Sequence, residues 1–404
     1  MRRIKALTSL RVRGAKVLYP LTKILLLALA ATIAGADDFV QVTLWGERHQ
    51  TFLRRFFPYA LGIPSHDTMC DVFAAIDADL FKVCFQDWVK DLRDGAADLI
   101  AIDGKTSRRS HAGAKGRKPL RMVSAWATGQ RIVLGQQACE EKSNEITAIP
   151  LLLKNLDLNG VLVTIDAMGT QTKIAQAIRD GGGDYVLSLK ENWPATYAEV
   201  AMPFNNPPPG TMLETHQTVD GRNGRIAIRR HTVCHDIDWM ISDRRYPGEP
   251  KFPGLAMIGR VETEVERGGK IEYETRYYLC SIRMTAEMFG QAVRGHWGIE
   301  NRLHWVLDVV FREDMARLRS GNAPANIAIV RHAALNLLSR AKPITSFKNR
   351  RKQAGWNVDY LETIIAVSRD VQAIRLRGQA GLIAPIRDGR WWTAPRSRLG
   401  RDPG

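Results

Sequence analysis

Two hydrophobic periods alternate along the chain, and the places where the period changes outline its organisation. From Leu21 to about Leu92 apolar residues recur three or four apart, in "LTKILLLALAATIAG" and again in "DVFAAIDADLFKVCFQDWVKDL". That spacing turns one stripe of an α-helix toward a core. Between the two runs, "LGIPSHDTMCDVF" breaks the pattern: Gly62 and Pro64 turn the chain, and Ser65 or Asp67 can cap the next helix by accepting from its free N–H groups. At "AADLIAIDGK" the period becomes that of a strand, Leu99 to Ile102, ending on the carboxylate of Asp103. "LRMVSAWAT" and "RIVLGQQAC" predict two more strands around a turn at Thr128-Gly129-Gln130. A helix in "EITAIPLLLKNL" follows, then an apolar strand from Val161 to Ile165 that stops on Asp166. "TQTKIAQAIRDGGGDYVLSLK" then supplies a helix, a glycine stop and a strand.

Three antiparallel strands followed by alternating helix and strand predict an α/β fold with a mixed sheet. From Asn192 to about Cys280 the texture shifts. "PFNNPPPG" interrupts the chain, and "RIAIRRHTV", "LAMIGRVETEVE" and "IEYETRYYLCSI" read as short strands between glycine and proline turns, an insertion made mainly of strands. Helical spacing returns from Thr285 through "AEMFGQAVRGHWGIENRLHWVLDVVF" and "ANIAIVRHAALNLLSR". The basic tail after Ser368 contains Gly, Pro, Arg and a Trp391-Trp392 pair without periodicity and reads as unstructured. The expected division is a helical N-terminal domain over 1–95, the first part of an α/β core over 96–191, a β-rich insertion over 192–284, the completion of the core over 285–345, and a basic C-terminal segment over 346–404.

At 404 residues and 45% hydrophobic, the chain can bury a large core. A formal net charge of +16 gives it a broad positive field, which favours a polyanionic partner such as nucleic acid. Five cysteines stand singly, with no C-x-x-C pair and an odd total, the usage of reduced thiols in the cytoplasm. "HTVCH", His231 to His235, alternates like a strand rather than spacing like a zinc site. The N-terminal "ILLLALAATIAGA" follows several Arg and Lys residues and imitates a secretory signal. Its basic lead-in is long, its apolar core is too short for a bilayer, and it runs on into a helical pattern, so a buried helix and no membrane partner are expected.

An acid that ends a buried strand sits at the rim of the sheet, where ligands of α/β folds bind. If the strands of Asp103 and Asp166 are neighbours, their carboxylates converge and repel unless a cation lies between them, and hard oxygen donors select Mg²⁺ or Mn²⁺. The later helix carries Glu300, sharing roughly one face with His296, His304 and Asp308. Three such acids suit two-metal, in-line phosphoryl transfer. Nearby cations for phosphate contact are Lys105, Arg108 and Arg109 after the first acid, Lys173 after the second, Lys190 at the end of the next strand, and Arg294 and Arg302 beside the third. The residues alone leave open a transposase, a metal-dependent DNA nuclease without strand transfer, or a catalytically inactive DNA-binding regulator.

"AIDGKTSRRS", "KSNEITAIPLLL", "VTIDAMGTQTKIA", "DYVLSLKENW" and "HWGIENRLHWVLDVVFREDMARLR" together resemble the DDE transposases of bacterial insertion sequences, in particular the H-repeat-associated group, also called the ISAs-one type. The likeness runs from about Val17 to Leu361. It implies an RNase H-like core interrupted by a β-rich insertion before its last acid, and a catalytic, metal-binding triad on Asp103, Asp166 and Glu300 with Mg²⁺ (or Mn²⁺). It further implies nicking of double-stranded DNA at terminal inverted repeats and joining of the freed 3′-hydroxyl to target DNA, with a homodimer pairing the two ends. Related enzymes place Tyr, Arg and Lys around the last acid where this chain has Val293, His296 and Leu307, so terminal-phosphate contacts are expected from Arg294, His296, Asn301 and His304 instead. Some relatives stack an aromatic side chain of the insertion on a flipped base, which makes Trp239 a candidate. The helical N-terminal domain is a candidate for recognition of the element ends. The opening "MRRIKALTSLRV" and the stretch after about Ala373 depart from the family pattern.

Overall fold

The computed structural model of the chain describes residues 19–93, 95, 99–110, 119–139, 145–222, 224–242, 248–343 and 345–366. The opening dozen residues and the basic tail with its tryptophan pair lie outside the described residues.

The leading segment is helical: α1 (Leu21–Ile33), α2 (Phe39–Arg48), α3 (Gln50–Leu53), α4 (His66–Ala75) and α5 (Ala78–Leu92). Short polar side chains set where three of these begin. Asp38 accepts from the Gln41 N–H, Ser65 from that of Thr68, and Asp77 from that of Leu80. In α1, Ile24, Leu27, Ala28, Ala30, Ala31 and Ile33 are all buried, the core helix that its apolar run predicts. No helix among the described residues is long and apolar enough to cross a membrane.

Nine strands make one sheet among the described residues. Its core holds β1 (Leu99–Thr106), β2 (Arg121–Ala127) and β3 (Ile132–Ala138), then α6 (Glu145–Leu153), β4 (Leu162–Ile165), α7 (Thr172–Asp180) and β5 (Asp184–Leu189). The first three strands are antiparallel, and β4 and β5 run parallel to β1 on its other side. β1 does not end on its aspartate. It continues to Thr106 because β2 goes on pairing with it, Lys105 opposite Met122 and Thr106 opposite Arg121, after β4 has stopped.

The insertion comprises α8 (Pro194–Asn205), β6 (Leu213–Arg222), β7 (Arg225–Cys234), α9 (Asp238–Ile241), β8 (Met257–Arg267) and β9 (Lys270–Cys280). Its strands extend the core sheet instead of forming a separate one, in the order β3-β2-β1-β4-β5-β9-β8-β7-β6. The join is made by the buried end of β9, where Tyr277 to Cys280 pair with Leu189 to Val186 of β5. Two elements are not legible in the apolar pattern. α8 contains Pro203, and β6 is an edge strand with few apolar residues.

The chain closes with α10 (Ala286–Ile299), a π-helical turn (Glu300–His304), α11 (Trp305–Val309), α12 (Ala323–Arg340), α13 (Phe347–Trp356) and α14 (Val358–Ile365). α12 is buried on nearly all sides and packs against α1, α4, α5 and β3, so that one apolar core runs from the N-terminal helices through the sheet. Two of its asparagines bond to the backbone of neighbouring elements within that core. Asn326 donates to the carbonyls of Phe73 and Ile76, and Asn336 bonds both the N–H and the carbonyl of Val133.

Candidate active site

The parallel register of β1 and β4 pairs Ile102 with Ile165, so Asp103 and Asp166 follow at the same level of adjacent strands. Asp166 leaves β4 as the cap of a short 3₁₀ turn and accepts from the Gly169 N–H at 3.2 Å. Asp103 accepts from the Gly104 N–H at 2.8 Å. Burial, and after it the neighbouring Asp166 charge, push the Asp103 carboxyl up to about 7, against the Gly104 bond; Glu145 and Glu300 add to the repulsion.

Glu300 arrives on a helix laid closely over β1. Gly295 permits the approach, since a β-carbon there would stand 2.1 Å from Leu99 Cδ2. The Thr128 hydroxyl donates to the Gly295 carbonyl at 3.3 Å. Glu300 then begins the π-helical turn, a feature common at functional sites. Partial desolvation raises its carboxyl pKa, Arg276 of β9 lowers it, and Asp166 raises it further. Arg276 is itself held over the Trp297 ring, 4.4 Å from its centre. Among the described residues no three His, Cys, Asp or Glu side chains close around a single ion-sized point.

The basic residues singled out in the sequence are distributed unevenly. Lys105 is nearly buried, its side chain 10% exposed, and ion-paired with Asp308 at 2.7 Å and Glu313 at 2.8 Å. Burial works against its charge, but Glu313 and Asp308 outweigh that and raise its pKa. His296 is bound to the Thr164 hydroxyl at 3.0 Å, and burial lowers its pKa. His304 lies 3.5 Å from Asp103 and is pushed down to about 4 by burial, with Lys105 adding to the shift. Arg294 pairs with Asp220 of β6, and Arg108 lies near Asp314 at 3.4 Å. Arg109 is half-buried, while Lys173, Lys190, Asn301 and Arg302 are exposed. Trp239 is displaced from this group. It sits in α9, after β7, three strands out from β5, and packs against the core.

Three features escaped the sequence reading. Glu145, the first residue of α6, is buried against Gly104 and ion-paired with Arg121 at 2.6 Å, a fourth carboxylate beside the two aspartates. Burial raises its pKa, Arg121 opposes, and Asp166 raises it again. Trp305, at the end of the π turn, is 56% exposed although it lies in an apolar run. The four insertion strands also continue past the end of β5. At their far end Arg225, Arg267 and Lys270 are cross-strand partners in one exposed row. Strand alternation puts this row on the face of Arg276 and Arg229, toward α10, about 20 Å beyond Arg276. The other face carries Glu262, Glu264 and Glu266 with Arg230. The β7–β8 register, which is non-local, brings Arg225 into line with the hairpin pair Arg267 and Lys270.

Paired aspartates, one within β1 and one just past β4, with a glutamate delivered by a helix after the inserted strands, place the molecule in the class of DDE proteins with an RNase H-like core. The chain belongs to the family described as the transposase DDE domain, whose model matches residues 68–337, and residues 1–89 match the model described as DDE_Tnp_1-associated. It is similar to the H repeat-associated putative transposase YhhI of Escherichia coli K12, 36% identical over 361 residues that cover 87% of this chain and 94% of the relative. It is similar also to the putative transposase YncI of Escherichia coli O157:H7, 36% identical over 374 residues, 90% of this chain and 93% of the relative. An uncharacterized protein in the dhlA 3′ region of Xanthobacter autotrophicus is 40% identical over 271 residues, 65% of this chain and 88% of its own length.

Proposed function

We propose that this chain is a transposase that hydrolyses phosphodiesters at the ends of its own insertion sequence and transfers the freed 3′-hydroxyl to target DNA. The observation that carries this reading is the shared level of Asp103 and Asp166, with Glu300 close enough to raise the pKa of Asp103. Their carboxylate oxygens fit Mg²⁺ or Mn²⁺. Such ions keep several waters and need only one or two protein carboxylates each, so three acids serve two ions by sharing and no three-fold cage is required. When bound, divalent ions polarise the phosphate and lower the pKa of the attacking water or hydroxyl. The protein's own contribution is orientation and charge. Asp103 and Asp166 present their oxygens from a rigid sheet edge, Lys190 and Arg302 offer exposed positive charge to the backbone, and Asn301 and Trp305 offer surface contacts beside Glu300. The N-terminal helices recognise the inverted repeats, and a homodimer in the cytoplasm pairs the two ends.

The test is incubation of the purified protein and Mg²⁺ with duplex DNA carrying the flanking inverted repeats. Cleavage with joining to a second duplex is the expected result. Cleavage without joining marks a nuclease, and binding in EDTA with no cleavage under any divalent ion marks a regulator.

A further inference from the structure

Two polar ties hold the segment around Glu300 to the strands of the two aspartates. On the upstream side, His296 is one helical turn before Glu300, and its Nδ1 lies 3.0 Å from the hydroxyl of Thr164, a buried residue two positions before Asp166 on β4. On the downstream side, Asp308 is about two turns past Glu300, and its carboxylate lies 2.7 Å from Nζ of Lys105, two positions after Asp103 on β1. The second tie is reinforced from below. The same ammonium donates to buried Glu313 at 2.8 Å, and Glu313 in turn faces Arg331 of α12 at 3.8 Å. Between the ties lies the π-helical turn Glu300–His304. Its i→i+5 hydrogen bonds enclose one residue more than those of an α-helix and interrupt the regular ladder, so the direction of its side chains depends on what holds its two ends.

We propose that Lys105 and His296 are positioning residues: through Asp308 and Thr164 they clamp the π turn at both ends and so set where Glu300 stands relative to Asp103 and Asp166. Neither needs to touch DNA. A lysine and a histidine of a highly basic protein are used as internal struts, Lys105 because its carboxylate partners surround it at the sheet edge and His296 because it sits under the helix against β4. Holding an acid within about half an ångström of its working place is what a supporting shell contributes to a metal site.

This inference rests on the transposase reading only for its consequence, and the experiment separates the two. Thr164→Val, Lys105→Met and Lys105→Arg are compared with wild type by hydrogen exchange, by Mn²⁺ titration, by DNA affinity in EDTA and by cleavage. Thr164→Val and Lys105→Met should speed exchange of the Glu300–His304 amides by about tenfold or more while peripheral helices keep theirs. They should weaken Mn²⁺ binding and lower kcat with DNA affinity unchanged, and Lys105→Arg should recover part of each loss. Unchanged exchange in folded Thr164→Val and Lys105→Met overturns the clamp, as does loss of DNA affinity with Mn²⁺ binding intact, which would return Lys105 to a phosphate contact. Faster exchange in a protein whose wild type binds no Mn²⁺ sustains the clamp and removes the metal-site reading instead.

Discussion

Asp103 and Asp166 stand side by side because the residues before them, Ile102 and Ile165, are register partners in parallel strands. Side chains alternate along a strand, so a slip of one residue between β1 and β4 would send one carboxylate to the other face of the sheet. The buried isoleucines that precede the acids oppose such a slip, since it would turn them into the places of Ala101 or Thr164 on the other face, which is also buried and holds smaller side chains. Core packing thereby sets the geometry of the candidate site.

Asp103→Asn, Asp166→Asn and Glu300→Gln are each expected to lower Mg²⁺-dependent cleavage at least about 100-fold while leaving DNA binding in EDTA near wild type. The metal-free Asp103→Asn protein should in addition melt higher than wild type at pH 8. At that pH the Asp103 carboxyl, raised to about 7, is ionised against Asp166 and without water's full solvation. Differential scanning calorimetry in EDTA reads this directly. A lower melting temperature would mean that the acids do not repel.

The row of Arg225, Arg267 and Lys270 lies on the face toward the candidate site, with Glu272 and Glu274 between Lys270 and Arg276 on the same face. DNA bound at the acids is expected to run over this row. Replacing all three by alanine should reduce the slope of log affinity against log salt by roughly 2 to 3, about 0.9 per lost phosphate contact on duplex DNA. Fluorescence anisotropy from low to moderate salt measures the slope, and an unchanged slope would place the DNA elsewhere.

Acid should weaken the fold through two buried histidines. His332 on α12 is 2% exposed and pushed down to about 4 by burial, against the pull of Glu313; His304 is also near 4. In the unfolded chain both titrate near 6.5. A base whose folded pKa lies below its unfolded one contributes stability that is complete above the unfolded value and is lost as pH falls toward the folded value. The histidines' contribution to the melting temperature should therefore fall between about pH 6.5 and 4, opposed by the gain from protonating Asp103, and His332→Gln should remove its part of that fall. A variant with the wild-type pH profile would show that His332 does not contribute to it.

Gly104 and Glu145 should be energetically coupled. A β-carbon at Gly104 would stand 1.8 Å from the Glu145 carboxylate, so Gly104→Ala must displace that side chain from its pair with Arg121 or push β1 aside. A cost of about 1–3 kcal/mol is expected for such overpacking, and Glu145→Ala in the same protein should relieve much of it. Urea denaturation of the four proteins of the double-mutant cycle measures the coupling. Additive effects would exclude direct contact.

Much of this molecule is legible in its amino-acid order, because helical and strand periods follow from the geometry of residues a few positions apart. The N-terminal helices, Ser65 as a cap, the strands before the two aspartates, the helix of Glu300 and the polyanion-seeking charge all belong to that local level. Membership in the DDE family rests on the same residues. What only the tertiary structure decided is non-local. Pairing β1 with β4 brings Asp103 and Asp166 together, and the buried end of β9 fastens the insertion to the free edge of β5. Lys105 becomes a nearly buried strut while Lys190 stays at the surface, and Trp239 packs against the core. A short stretch of chain cannot settle these outcomes, because each depends on which distant segment buries a given side chain or offers it a counter-charge.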